Sequence, residues 1–310
     1  MEGLYLDLLA LRVFISVVGI VGNTILILSI LQMTRLKSFE IFLLGLASAN
    51  LEEILVVDIY DILLLRSTYT MSIWTCRGMK FLTIFGEIGS ILFTVLISIY
   101  RYQKLRDVNT RVNLPVFMDG LRSAVFLSVF CGAVALVFGL PTLLVNLDWS
   151  HLNSSSPGCP VDFFQCSLTR CPTRNRVYKF SFILVCNLLP LLIVTVTSSM
   201  IVRILIVQQK TVRARQTQSV ATTTTTQQRP RKSAFQRGTL AILAAMTLFQ
   251  VNWTLYLILH LVCDPQTFPL WSEVEFLITT FYTAISPYVY GIGNNLFNVK
   301  RFICSNISFT

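Results

Sequence analysis

Apolar runs long enough to carry a helix across a bilayer, about 20 residues each, recur seven times along the chain. They cover roughly residues 8–32, 40–64, 77–101, 121–145, 178–206, 238–263 and 271–293. This pattern predicts an all-α seven-transmembrane helix bundle over residues 1–303, with a short cytoplasmic tail at 304–310. The first run is too long for a signal-peptide core and has no cationic segment before it, so it reads as a retained helix. Most polar intervals are short; the exceptions are 146–177 and 207–237. The second of these is basic and repetitive, including Thr222–Thr226, and cannot bury enough apolar surface to fold alone. It is expected to be a flexible third cytoplasmic loop, as a solvated linker, a docking and phosphorylation segment, or both. A short amphipathic piece, Asn294 to Phe302, is expected after the seventh span.

Composition agrees with the bilayer as solvent. The 310 residues are 54% hydrophobic and 13% charged, against about 25% charged in a soluble domain, and the mean hydropathy is +0.67. The net charge of +10 does not mark nucleic-acid binding, because the basic residues sit in short loops between apolar runs. Most of the 25 Lys and Arg fall on one side of a seven-span layout, among them Arg35, Lys37, Lys104, Arg106, Arg122, Arg203, Lys210, Arg213 and Arg301. That asymmetry places the N-terminus outside and the C-terminus inside.

Of the eight cysteines, Cys131 and Cys186 lie within spans and are expected to be free thiols. Cys304 is a candidate for palmitoylation. Cys76, Cys159, Cys166, Cys171 and Cys263 fall on the outer side, where disulfides persist. A bridge from Cys76 to Cys171 or to Cys166 would pin the second outer loop over the bundle, with Cys159 pairing with whichever remains. Asn153-Ser154-Ser155 is a glycosylation sequon in that loop, whereas Asn252-Trp253-Thr254 in a span and Asn306-Ile307-Ser308 inside are chance matches.

Several residues narrow the class. Gly22-Asn23 sits midway along the first helix, Leu46-Ala47-Ser48-Ala49-Asn50 in the second, and Cys76 and Arg101 bracket the third. Pro190 interrupts the fifth helix, and Ser286-Pro287-Tyr288-Val289-Tyr290 ends the seventh. In this order they resemble the rhodopsin-like receptor superfamily over nearly the whole chain. The departures are Asn50 where an Asp is usual, Tyr100-Arg101-Tyr102 for the usual DRY, Phe249-Gln250-Val251-Asn252-Trp253 with no proline on helix six, and Ser286 where Asn is usual. The Leu-Ala-x-Ala-Asn pattern with no helix-six proline is similar to vomeronasal type-1 receptors. Tyr100-Arg101-Tyr102-Gln103-Lys104-Leu105-Arg106-Asp107, Arg111-Val112-Asn113-Leu114-Pro115 and the run from Ser286 to Asn295 resemble their fish relatives, the olfactory receptor class A-related group. This resemblance implies detection of a small-molecule pheromone or odorant at the plasma membrane of sensory neurons, signalling through a heterotrimeric G protein, with no cofactor.

The resemblance makes Arg101, with Tyr102 beside it, the G-protein contact, and implies that Tyr290 rearranges on activation about a kink at Pro287. Position alone also allows Arg101 to be a snorkelling interfacial residue. No acid precedes it, so the superfamily's local ionic restraint is expected to be missing and basal signalling measurable. Asn50 reads as an interhelical hydrogen-bond group rather than a sodium ligand. Buried acids are costly in a span and usually face the bundle interior: Glu52, Glu53, Asp58 and Asp61 on helix two, and Glu87 on helix three. Glu87, with Thr83 one turn away, is the foremost candidate ligand contact, the alternative being a neutral hydrogen-bonded acid. On helix six, Gln250, Trp253, Tyr256 and His260 form a stripe that is either a cavity wall, with Trp253 as a movable plug, or ordinary packing. Asn187 on helix five and Glu275 on helix seven are further lining candidates.

No nucleophile–base set, metal spacing or phosphate loop marks an enzyme. A retinal pump or opsin needs a lysine in the last span, and residues 271–293 contain none. An ion- or proton-conducting seven-helix protein and a bitter-taste-like receptor remain the competing classes.

Overall fold

A computed structural model describes residues 2–65, 72–110, 117–144, 171–218 and 229–297, apart from 266 and 269. Among the described residues the chain forms seven long helices and no strand. They are α1 (Glu2–Leu31), α2 (Ser38–Leu65), α3 (Ile73–Thr110), α4 (Leu121–Gly139, continued by a short turn at Pro141–Leu144), α5, α6 (Arg229–Val262) and α7 (Trp271–Gly293). Helix α5 has three consecutive parts: Thr173–Phe182, a π-helical Ile183–Leu188 and Leu189–Gln218.

Among the described residues, five helices are long and apolar enough to cross a membrane: α1, α3, α4, α5 and α6. Helices α2 and α7 fall short because their polar residues are numerous, yet those residues turn inward. Asn50 and Glu53 of α2, and Thr280, Thr283 and Ser286 of α7, are buried. The outward faces are apolar; Phe126, Val129, Phe130 and Val137 of α4 are all exposed, an arrangement that suits hydrocarbon.

Helix α3 is the hub, packing against α2, α4, α5 and α6, while α7 is held between α1 and α6. Gly86 allows the close approach of α2: a Cβ there would lie 2.3 Å from Glu52 Oε2 and 3.1 Å from the Ala49 carbonyl. Gly22 does the same for α1 and α7, since its Cβ would lie 2.5 Å from the Tyr288 ring and 3.0 Å from Pro287. Small residues at such crossings let backbones meet in a membrane bundle. The core between the helices includes Leu26, Phe42, Ile97, Met246, Phe249 and Tyr290.

The helix limits differ from hydropathy in an informative way. α3 continues to Thr110, α5 to Gln218, and α6 begins at Arg229. The expected loop over 207–237 is therefore helical at both ends, while 219–228, with Thr222–Thr226, lies outside the described residues. Apolarity measures the length of helix in lipid, whereas polar helix formers such as Gln, Lys and Arg carry a helix on into water.

Pro190 does not interrupt α5. Proline lacks an N–H and crowds the carbonyl four residues earlier. The six-residue π turn ending at Leu188 widens the backbone just before it, with Leu189 N–H bonded to Leu184 O, and the helix continues.

At the other end of the chain, α7 stops at Gly293 and the expected amphipathic helix does not begin at Asn294. Asn295 adopts φ 57°, Leu296 N–H reaches Gly291 O at 2.8 Å and Asn295 N–H reaches Ile292 O at 3.2 Å. This is a Schellman cap with asparagine in the left-handed position. Residues 298–310, including Cys304, lie outside the described residues.

Candidate functional site

The polar interior falls into three regions. The middle one joins α1, α2 and α7. Pro287 cannot donate to the Thr283 carbonyl one turn before it, and Asn23 Nδ2 donates to that carbonyl instead, at 3.0 Å. The same amide nitrogen also reaches Gly19 O at 2.8 Å. Asn50 Nδ2 then donates to Asn23 Oδ1 at 3.3 Å and to Ser286 Oγ at 3.1 Å. The Gly22-Asn23, Asn50 and Ser286-Pro287 motifs thus form one connected unit, and Asn50 is an interhelical hydrogen-bond group as expected. Thr94 Oγ1 and the Tyr282 hydroxyl, 2.7 Å apart, tie α3 to α7 beside it.

The second region is the Arg101 end. The Arg101 guanidinium donates to Asn294 Oδ1 at 2.8 Å and lies over the Phe39 ring at 3.8 Å. Asn294 in turn donates to Tyr290 O at 2.8 Å, so the residue that caps α7 also holds α3. Helix α6 closes against the same point: a Cβ on Gly238 would lie 3.3 Å from Asn294 Oδ1. No acid precedes Arg101 in the sequence; the Asn294 amide and the Phe39 ring hold it, and Glu40 of α2 lies within electrostatic reach. Tyr100 and Lys104 bind Asp119, in the 3₁₀ turn Phe117–Asp119 that leads into α4. Glu40, three residues into α2, accepts from the Lys37 N–H, the acidic half of a capping box. Tyr102 is half-buried, Tyr290 is fully buried, and Pro287 lies inside α7. Neither Asn294 nor Phe39 stood out in the sequence, because no local pattern marks a partner 193 residues away.

The third region is the half of the bundle towards Cys76. Glu53 is 4% exposed, Glu87 6%, Asn187 1% and Trp253 2%. Glu53 Oε2, Glu87 Oε1, both amide atoms of Asn187 and Trp253 Nε1 are buried without a hydrogen-bond partner among the described residues. Buried polar atoms left unpaired are costly; the Arg101 end has some as well, at Arg101 Nε, Gln103 Oε1 and Asp107 Oδ2, and here they come from four helices, α2, α3, α5 and α6. Thr83, by contrast, donates to Met79 O of its own helix at 3.0 Å.

A continuous aromatic chain borders this half. Trp253 and Tyr256 have ring centroids 5.1 Å apart, Tyr256 and His260 4.2 Å, and His260 and Trp271 5.0 Å. Glu275 anchors it, accepting from Trp271 Nε1 at 3.1 Å and facing His260 Nε2 at 3.4 Å. Gln250 leaves the expected stripe and reaches Thr195 on α5 at 3.3 Å; at one turn from Trp253 the helix has rotated it towards α5. Arg12 closes the α1–α7 side through Glu273 at 3.0 Å and the Phe276 ring at 4.0 Å, while Ser16 donates to Asp58 at 2.7 Å. The Asp61 side chain lies outside the described residues.

Cys76 and Cys171 are each disulfide-bonded. Cys131, Cys186 and Cys263 are free; Cys159, Cys166 and the Asn153 sequon lie outside the described residues. Asn252 is buried in α6, in keeping with a chance sequon.

A seven-helix membrane bundle with buried, unpaired polar groups towards one end and a held arginine at the other suits a signalling receptor of the G-protein-coupled class. Residues 22–290, from Gly22-Asn23 to the close of Pro287-x-x-Tyr290, match the family described as 7 transmembrane receptor (rhodopsin family), and the chain belongs to it. It is a non-enzymatic, multi-pass membrane receptor. No curated protein matches the chain.

Proposed function

We propose that this receptor is chemosensory: it binds a small pheromone or odorant in the Cys76 half of the bundle and activates a heterotrimeric G protein at the Arg101 end. The observation that carries the reading is the set of unpaired, buried groups at Glu53, Glu87, Asn187 and Trp253, next to an aromatic wall. Small-molecule sites are apolar pockets with a few convergent polar groups, and these groups have that character. In this reading the N-terminus and Cys76 face outward at the plasma membrane of a sensory neuron, and the likeness to vomeronasal type-1 and fish olfactory class A-related receptors supports it.

Glu87 lies 14 residues from Arg101 on α3, about 21 Å along the helix. The ligand therefore acts on the far end only by favouring one arrangement of the helices over another. Two contacts join the ends: α3 meets α7 at Thr94–Tyr282, and α7 meets Arg101 at Asn294.

The test is a screen of odorant chemicals on cells expressing the receptor and a promiscuous G protein, read as calcium release and repeated as nucleotide exchange on isolated membranes. Ligand-dependent exchange is the expected result. A ligand-gated current with no G protein present, and no exchange, would replace this reading with a conducting protein.

A further inference from the structure

We propose that the ligand chamber is built for an organic cation, an amine whose ammonium sits between Glu53 of α2 and Glu87 of α3. The inference rests on the receptor reading and gives its ligand a chemical class. Both carboxylates are buried, and each has an oxygen with no hydrogen-bond partner among the described residues. Glu52 adds two more unpaired oxygens, brought over α3 by the missing side chain of Gly86. Glu53 lies within electrostatic reach of Glu87 on α3 and of its neighbour Glu52.

Most of the positive groups nearby are engaged with other acids. His260 faces Glu275, which also takes the Trp271 indole N–H. Arg12 is held by Glu273, and Asp58 by Ser16. Lys80 lies within reach of both Glu87 and Glu275. Lys80 and His260 are thus shared with Glu275, and a further buried cation, Lys179, stands about two turns from Asn187 on α5.

No three His, Cys, Asp or Glu side chains among the described residues converge closely enough to hold a metal ion. The acids are spread over two helices, which suits an ammonium with a body behind it.

Two further features supply that body's contacts. The Asn187 amide, 1% exposed with donor and acceptor both unpaired, sits on the π turn of α5, which touches both α3 and α6. Its neighbour Cys186 packs against Ile84 and Ile88 of α3 and lies within reach of Glu87. The aromatic chain from Trp253 to Trp271 offers ring faces, which attract cations.

The test uses the full-length receptor in lipid nanodiscs with four probes: cadaverine, phenethylamine and the matching carboxylates, pentanoate and phenylpropanoate. Thermal melting is measured with each, and G-protein nucleotide exchange is followed in the same preparation. An amine is expected to raise Tm where its carboxylate does not. Glu87→Gln should weaken the amine's apparent affinity about tenfold or more, the scale of losing one charged hydrogen-bond partner, and Glu53→Gln should do likewise. If neither amine raises Tm, if the carboxylates raise it as much, or if the amine effect survives both substitutions, the cation inference is wrong. Receptor-dependent exchange seen alongside such a failure leaves the receptor reading standing. Amine binding with no exchange, in the wild type or in Asn294→Ala, would sink the receptor reading while the cation site stands.

Discussion

Replacing Asn294 by alanine removes the acceptor that holds Arg101 at 2.8 Å. A hydrogen bond to a charged group contributes about 1.5–3 kcal/mol. The Phe39 ring contact at 3.8 Å remains, so Arg101 is loosened rather than freed. If the bond exists only in the resting arrangement, losing about 1.5 kcal/mol shifts the resting-to-active balance about tenfold. From a resting active fraction of roughly 1%, the variant would reach roughly 10%. Ligand-free nucleotide exchange on membranes, compared at equal surface expression, should therefore rise several-fold. Alanine also removes the Asn294 Nδ2 bond to Tyr290 O, so a second variant separates the two roles. Asn294→Asp loses that donor but keeps the acceptor and gives Arg101 a negative partner; it should signal less than wild type without ligand. If alanine leaves basal exchange at the wild-type level, or aspartate raises it as much as alanine does, the Asn294 hold is not what keeps the receptor quiet.

Three other outcomes follow from the packing. Asn50→Leu removes the donor to Asn23 and Ser286 and leaves buried polar atoms unpaired, which costs about 1–3 kcal/mol; the purified receptor should melt several degrees lower, and an unchanged Tm would remove this network from the stability account. Because the Asn50 amide is neutral and already bonded, replacing sodium by N-methylglucamine at constant ionic strength should leave Tm unaltered; a rise with sodium would mean an ion site exists here after all. Gly86→Val places a branched side chain where Glu52 and the Ala49 carbonyl already stand. Overpacking of this kind costs about 1–3 kcal/mol, so surface expression should fall, and expression equal to wild type would show that α2 and α3 can separate freely.

Much of this architecture was legible in the chain. A backbone in hydrocarbon must satisfy its own hydrogen bonds, so an apolar run of spanning length commits itself to helix; five helices meet that measure outright, and α2 and α7 are legible as apolar runs interrupted by polar residues that turn inward. The Gly22-Asn23, Asn50 and Pro287 motifs pointed to the right helices, and Glu87, Asn187, Trp253, Tyr256 and His260 were all expected to face inward and are buried. What local pattern could not supply was the identity of partners. Asn23 answers the carbonyl that Pro287 leaves open, Asn294 holds Arg101, and Gly86 admits Glu52; each pairing joins residues far apart in sequence. Nor could it foresee that a π turn would absorb Pro190, because the extra residue is chosen by how α5 packs on α3 and α6. The sequence by itself determined that the chain is a seven-helix membrane bundle, since that follows from short-range hydrogen bonding and the solvent. Only the tertiary structure decided which buried polar groups are paired and which are left open, since that depends on how close two helices come. That difference separates the Arg101 guanidinium, held by Asn294, from the open carboxylates of Glu53 and Glu87.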